Sequence, residues 1–217
     1  IPVDIVDEEC VISGYKLVIA PMLYLLRAGF EEKLKAFVEN GGILIGTYHT
    51  GLVNENDLCY LGGWPGAGLG EVFGVWHEDT DSLWDDEHNT LRLADGREYG
   101  LKEICALIHP RGAQVLGAYG EDFYQGEAAL TVNQYGKGRA YYIASFGEDA
   151  LYRDLYQKLA GELSLKRALE ELPPQGVEAC LRENGEVQYL FLQNFSGRQQ
   201  QVSLPQGYAS LEGEPVQ

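Results

Sequence analysis

Lys16-Leu17-Val18-Ile19-Ala20-Pro21, followed by Phe30-Glu31-Glu32-Lys33-Leu34-Lys35-Ala36-Phe37-Val38-Glu39-Asn40-Gly41-Gly42-Ile43-Leu44-Ile45-Gly46-Thr47-Tyr48, decides the fold class. The first run is apolar throughout, the pattern of a strand covered on both faces, and Pro21 ends it. Phe30, Leu34, Phe37 and Val38 then recur at helical spacing, with Glu31, Glu32, Lys33 and Lys35 on the opposite side. Asn40-Gly41-Gly42 supplies a helix C-cap and turn, and Ile43–Tyr48 is another strand. Strand, helix and buried strand in close succession form a βαβ unit. That unit implies a parallel sheet with right-handed crossovers.

Outward from this unit, Val3–Val6 is a short β-branched run, counted as a further strand. From Thr50 to Asp86 glycine and proline crowd together at Gly62-Gly63-Trp64-Pro65-Gly66, and no Lys or Arg occurs between Lys35 and Arg92. A short helix is expected over Gly68–Phe73, followed by an extended run at Val75–Thr80. Strands are expected at Thr90–Leu93, Gln114–Tyr119, Ala128–Gln134 and Arg139–Ala144, the last two joined through Tyr135-Gly136-Lys137-Gly138. Asp149–Leu163 reads as a helix with Leu151, Leu155, Leu159 and Leu163 on one face. Pro173-Pro174 marks a boundary, so a first domain is placed at 1–171 and a small all-β unit at 172–217. In that unit Gly176–Arg182, Glu186–Asn194 and Gln199–Leu204 are expected strands. Asn184-Gly185 is the hairpin signal between the first two.

The chain has 217 residues, 45% of them apolar and 11% aromatic, enough for a packed core. Sixteen Lys and Arg against 33 Asp and Glu give a formal charge of −17. A surface this acidic repels phosphate backbones and anionic lipid, so neither nucleic acid nor membrane is an expected partner. No apolar run approaches the roughly 20 residues of a spanning helix. Cys10, Cys59, Cys105 and Cys180 are scattered without CxxC spacing, the usage of reduced thiols in a cytoplasmic protein. Ile1-Pro2-Val3-Asp4 opens the sequence without Met and inside an apolar run, and Pro215-Val216-Gln217 ends it without a helix. The expectation is a piece excised from a longer protein.

Several stretches invite a chemical reading. Gly46-Thr47-Tyr48-His49-Thr50-Gly51 follows a strand as a nucleophile elbow does, but Tyr and His occupy its centre and no Cys or Ser is present. Gly66-Ala67-Gly68-Leu69-Gly70 follows Trp64-Pro65 rather than a strand and has no nearby cation for phosphate, so the dinucleotide reading fails. Glu78, Asp79, Asp81, Asp85, Asp86 and Glu87, with His77 and His88, could hold a divalent cation. Their spacing fits no EF-hand loop, and a solvated acidic loop or an inter-subunit surface explains them more simply. His109, before Pro110, reads as a surface or capping histidine. No catalytic residue, metal ligand or cofactor is assigned. Tyr60, Trp64, Phe73 and Trp76 (with Trp84 in the same aromatic-rich segment) are assigned instead as interface anchors. Tyr189, Phe191 and Phe195 alternate onto one face, which is read as the core face of the C-terminal unit rather than as a sugar platform.

Gly41–Asp57, Leu61–Gly66 and Phe73–Asp81, together with Val3–Val6, Tyr15–Pro21 and Gly136–Tyr142, resemble the middle domain of family 42 β-galactosidases. Tyr189–Phe195 resembles the small C-terminal β domain of those enzymes. The resemblance implies a three-part parent. A catalytic (β/α)8 barrel carries the two glutamates of a retaining galactosidase. A flavodoxin-like middle domain, akin to class I glutamine amidotransferases but lacking their cysteine, forms the trimer. An antiparallel β domain closes the chain. The implied fold of this chain is thus a flavodoxin-like, glutamine-amidotransferase-like parallel sheet with flanking helices and then a small antiparallel domain. The implied partners are its own copies, as a homotrimer, and the barrel. A strand-helix segment expected before Ile1 and the last C-terminal strands are missing from this pattern. The alternatives are a stand-alone hydrolase or amidotransferase-like enzyme and a carbohydrate-binding module.

Overall fold

The computed structural model describes residues 1–211, so the Pro215–Gln217 end lies outside the described residues. The chain divides into two compact units, residues 7–157 and residues 1–6 with 158–217.

The larger unit begins with β1 (Leu17–Ala20), β2 (Leu25–Leu26), α1 (Phe30–Glu39), β3 (Ile43–Thr47) and β4 (Val53–Asn54). The helix forms where the periodicity places it, burying Phe30, Leu34, Phe37 and Val38. It ends as a Schellman motif: Gly41 N–H donates to the Val38 carbonyl (2.9 Å) and Gly42 N–H to that of Phe37 (3.0 Å), with Gly41 at φ +112°. The crossover it makes sets β1 parallel to β3, Leu17 facing Ile43.

After α2 (Leu69–Phe73) the chain is almost entirely β: β5 (Val75–Ser82), β6 (Asn89–Leu93), β7 (Glu98–Pro110), β8 (Gln114–Tyr119), β9 (Ala128–Tyr135), β10 (Gly138–Ile143) and β11 (Ser145–Gly147). A nine-stranded sheet runs β1-β3-β10-β9-β8-β6-β7-β11, with β5 on β7. Only β1, β3 and β10 are parallel neighbours; every other pairing in this sheet is antiparallel. The expected parallel sheet is therefore corrected to a mixed, mainly antiparallel one. Short links such as Gly136-Lys137 leave no room for the long crossover that a parallel pair demands.

Two further expectations change. The apolar run at Lys16–Ala20 is not covered on both faces, because β1 is the sheet's edge strand and Ile19 is 40% exposed. Val3–Val6 takes no strand pairing and its apolar side chains are exposed. The core gathers α1 and α2 against β3 and β10, with Phe73 edge-on to Tyr142 at 5.2 Å.

Helix α3 (Asp149–Glu162) buries Leu151, Leu155 and Leu159, and the boundary between the two units falls within it. In the smaller unit β12 (Val177–Glu183) and β13 (Gln188–Asn194) form an antiparallel hairpin. At the turn Gly185 takes φ +91°, and the Glu186 and Val187 N–H groups donate to Asn184 Oδ1 (3.2 and 3.0 Å). Gln199–Leu204 is not a strand. Tyr189, Phe191 and Phe195 are 43%, 52% and 68% exposed, so the face read as core is open. A two-stranded hairpin has no second layer to cover both faces.

Candidate functional site

The Gly/Pro-rich loop is fastened to the end of β3. Gly51 N–H donates to the Leu23 carbonyl (2.7 Å), Gly66 N–H to the Gly51 carbonyl (2.8 Å), and Tyr60 N–H to the Leu52 carbonyl (3.1 Å). A β-carbon at Gly66 would overlap the Tyr60 ring, and one at Gly63 would lie 2.5 Å from Trp76 Nε1. The glycines of this loop are what let two aromatic rings lie flat against its backbone.

Trp64 and Trp76 flank His77 on β5. His77 N–H donates to the Trp64 carbonyl (2.8 Å), and the two rings meet edge-on at 5.7 Å. Trp76 stacks on His109 at 5.3 Å, with the Arg111 guanidinium 5.3 Å from its ring centre, and His109 pairs with Glu78 through Nε2. His109 is thus a stacking partner as well as a surface residue. Tyr60, Trp64 and Trp76 are all half-buried.

Phe73 stands elsewhere. At 1% exposure, against Tyr142, it belongs to the core and is corrected as an interface anchor. It falls on the inner face of α2, where a five-residue helix has only one side to bury. The surface beside Tyr60 is supplied instead by side chains that the aromatic reading missed. Leu61 is 100% exposed and Leu58 62%, with Met22 and Tyr24 on the adjoining loop. The two loops are joined by Leu52 N–H donating to the Tyr24 carbonyl (3.0 Å) and by Tyr24 O–H donating to Asp57 (3.2 Å).

The turn at Gly46–Gly51 leads from β3 into β4, with no helix directly after it. His49, at φ +59°, is the turned-out residue. Thr50 is 1% exposed and its hydroxyl donates to the Thr47 carbonyl (2.7 Å), while Thr47 Oγ1 accepts from Met22 N–H (2.8 Å). One hydroxyl closes the turn and the other ties it to the segment after β1. The buried thiol of Cys105 is pushed up to about 11 by desolvation, which keeps it protonated and a poor nucleophile.

The acidic stretch divides between β5 and the turn after it. Asp79 accepts from Thr80 N–H, Asp81 from Tyr124 O–H (2.7 Å) and Glu87 from Trp84 N–H (2.9 Å). Among the described residues no three His, Cys, Asp or Glu side chains converge as metal ligands.

The chain as a whole is similar to known proteins. A family model described as the β-galactosidase trimerisation domain matches residues 1–166, and one described as the β-galactosidase C-terminal domain matches residues 176–211. The β-galactosidase BglY of Alicyclobacillus acidocaldarius is 45% identical over 221 residues, covering 99% of this chain and 32% of that protein. The β-galactosidase Pbg of Clostridium perfringens is 44% identical, covering 94% and 30%. Among solved structures, a β-galactosidase from Rahnella sp. R3 superposes with a TM-score of 0.86 at 45% identity, over 90% of this chain and 30% of that one. The chain spans about a third of the length of the relatives it matches.

Proposed function

Because this chain belongs to the β-galactosidase trimerisation-domain family, with the companion C-terminal domain after it, we propose that it is the assembly part of a β-galactosidase rather than its bond-breaking part. The parent is a retaining enzyme acting on terminal β-D-galactosides. Its reacting carboxylates lie on a barrel outside these residues, and three copies close into a ring by head-to-tail contacts, which need no self-complementary patch. The three parallel strands and the α1 crossover support a flavodoxin-like, amidotransferase-like origin for this half of the sheet. In this reading His49 occupies the elbow position where such enzymes carry a nucleophile. The functional boundary lies at 171/172, beside Pro173-Pro174. The four free thiols support a reducing, cytoplasmic setting.

The observation that carries the proposal is the apolar loop end around Tyr60. Leu61 and Leu58 stand in solvent on a loop that backbone hydrogen bonds fasten to the Leu23–Tyr24 segment and, through Trp64, to β5. An apolar patch held rigidly in water marks a contact surface. Leu61→Asp, at a fully exposed position, leaves the fold intact and places a charge in the contact. In the full-length enzyme we expect Leu61→Asp, and the Trp64→Ala/Trp76→Ala pair, to turn a trimer into monomers by light scattering. A trimer that survives both substitutions refutes this interface.

A further inference from the structure

We propose that a second face, the loop end bearing Trp84 and Phe123, docks on a cationic surface of the neighbouring subunit, in the part of the parent polypeptide outside residues 1–217. The inference rests on the assembly reading above and names the chemistry of the partner.

Trp84 is 76% exposed and Phe123 80%, the two most exposed aromatic side chains of the larger unit. Their loops adjoin: the β5–β6 loop lies opposite Glu103, midway along β7, and the β8–β9 loop lies beside the start of β6, where Gly120 N–H donates to the Thr90 carbonyl (2.8 Å). Asn89 Nδ2 donates to the Glu121 carbonyl (3.0 Å) and Glu121 N–H donates back to Asn89 Oδ1 (3.0 Å). Tyr124 O–H donates to Asp81 (2.7 Å), and the Phe123 ring sits edge-on to Tyr124 at 4.8 Å. The Trp84 turn is closed on itself: Trp84 N–H donates to the Glu87 carboxylate and Glu87 N–H to the Trp84 carbonyl, both 2.9 Å. Both rings are therefore presented by fastened loops. Holding large apolar surface in water costs free energy unless it is covered in the working assembly.

Charge selects what covers it. Asp85, Asp86, Glu87, Glu121 and Asp122 are exposed around the rings, and among the described residues no Lys or Arg is paired with any of them. The nearby cations are engaged elsewhere, Arg92 with Glu98 (2.8 Å) and Lys102 with Glu103 (3.9 Å). Guanidinium or ammonium groups complement both features at once, stacking on the ring faces and pairing with the acidic rim. A second copy of this chain is the wrong occupant, since it brings another −17 of charge. Relatives of this chain are about three times as long, and the cations must come from that remainder.

The test uses the full-length parent enzyme. With p-benzoylphenylalanine incorporated at Trp84 or at Phe123 and isotopically light and heavy subunits mixed, irradiation should yield light–heavy cross-links to an Arg- or Lys-bearing peptide outside residues 1–217. Cross-links confined to one subunit, cross-links to residues 1–217 of another copy, or none at all would overturn the proposal. In parallel, Trp84→Ser combined with Asp85→Asn and Asp86→Asn should raise the dissociation midpoint of the trimer at least about tenfold, and about 0.5 M NaCl should weaken the unmodified trimer. If that triple variant dissociates like the unmodified protein while Leu61→Asp falls apart, this face is wrong and the Tyr60 face stands. An unmodified enzyme that is monomeric at every concentration brings down both.

Discussion

His77 sits on β5 at 3% exposure, and its Nε2 lies 2.8 Å from the Asp79 carbonyl and 2.9 Å from Thr80 Oγ1. A carbonyl only accepts, so Nε2 carries the proton of the neutral ring and Nδ1 presents a lone pair to the interior without a partner. Burial holds this imidazole below its ordinary 6.5, and burial acts in the same direction on His49. The unfolded chain takes up protons near pH 6.5 where the folded chain does not. The stability attached to the neutral rings is thus complete above that pH. It falls as pH drops below it, and stops falling once the folded rings protonate, with a slope of at most about 1.4 kcal/mol per pH unit for each ring. Urea unfolding between pH 7.5 and 5.5 should show this loss, and His77→Gln should flatten it; an equal slope in the variant would exclude His77 as its source. Of the four aromatic residues that the sequence singles out, Tyr60, Trp64 and Trp76 reach the surface and Phe73 does not, because a Gly/Pro-rich run carries no period to say which ring faces the core. Leu58 and Leu61 were not legible in the sequence, since single leucines between polar residues carry no periodic signal.

The elements with a strong local cause were the legible ones. Helix α1 had an apolar stripe and a glycine pair to end it, and the β9–β10 hairpin had Gly136 and Gly138 at its turn. Gly138 also lets β10 begin directly under α1. A β-carbon there would run into the Val38 and Gly42 carbonyl oxygens, both backbone atoms that cannot swing aside. Gly138→Ala should therefore destabilise the larger unit by about 3 kcal/mol, the scale of overpacking against a fixed wall. Thermal unfolding would read this, and an unchanged midpoint would mean the helix end can slide. Strand β7 was the chief element not anticipated. Its buried positions run Tyr99 and Leu101, are interrupted at the exposed Glu103, which takes φ +63°, and slip by one residue between Cys105 and Ala106 before Ile108. The strand also changes partners around Glu103, from β6 over Glu98–Leu101 to β5 over Ile104–Pro110. A period-2 pattern that slips halfway looks like loop from either side. The same physics misled at β13, where alternation was real but the covering layer was assumed.

For the whole molecule, the parallel βαβ signal was correct yet local. It described two strands, β1 and β3, to which β10 adds a third parallel neighbour, and was extended to a sheet whose other pairings are antiparallel. What joins the two halves is β10, parallel to β3 on one side and antiparallel to β9 on the other. Ile43 faces Arg139 across that seam, so one side of β3 stays unpaired until roughly a hundred further residues have been made. At a synthesis rate of about 5–20 residues per second that wait is on the order of 5–20 s. During it, Ile43–Thr47, every side chain of which is buried in the finished fold, has an open backbone edge on the nascent chain. Ribosome-bound chains stalled before Gly138 should be cleaved by protease around β3 and held by chaperones, and chains stalled well beyond Ile143 should be resistant. Equal protection of the two would mean that the early ribbon finds cover before its partner emerges.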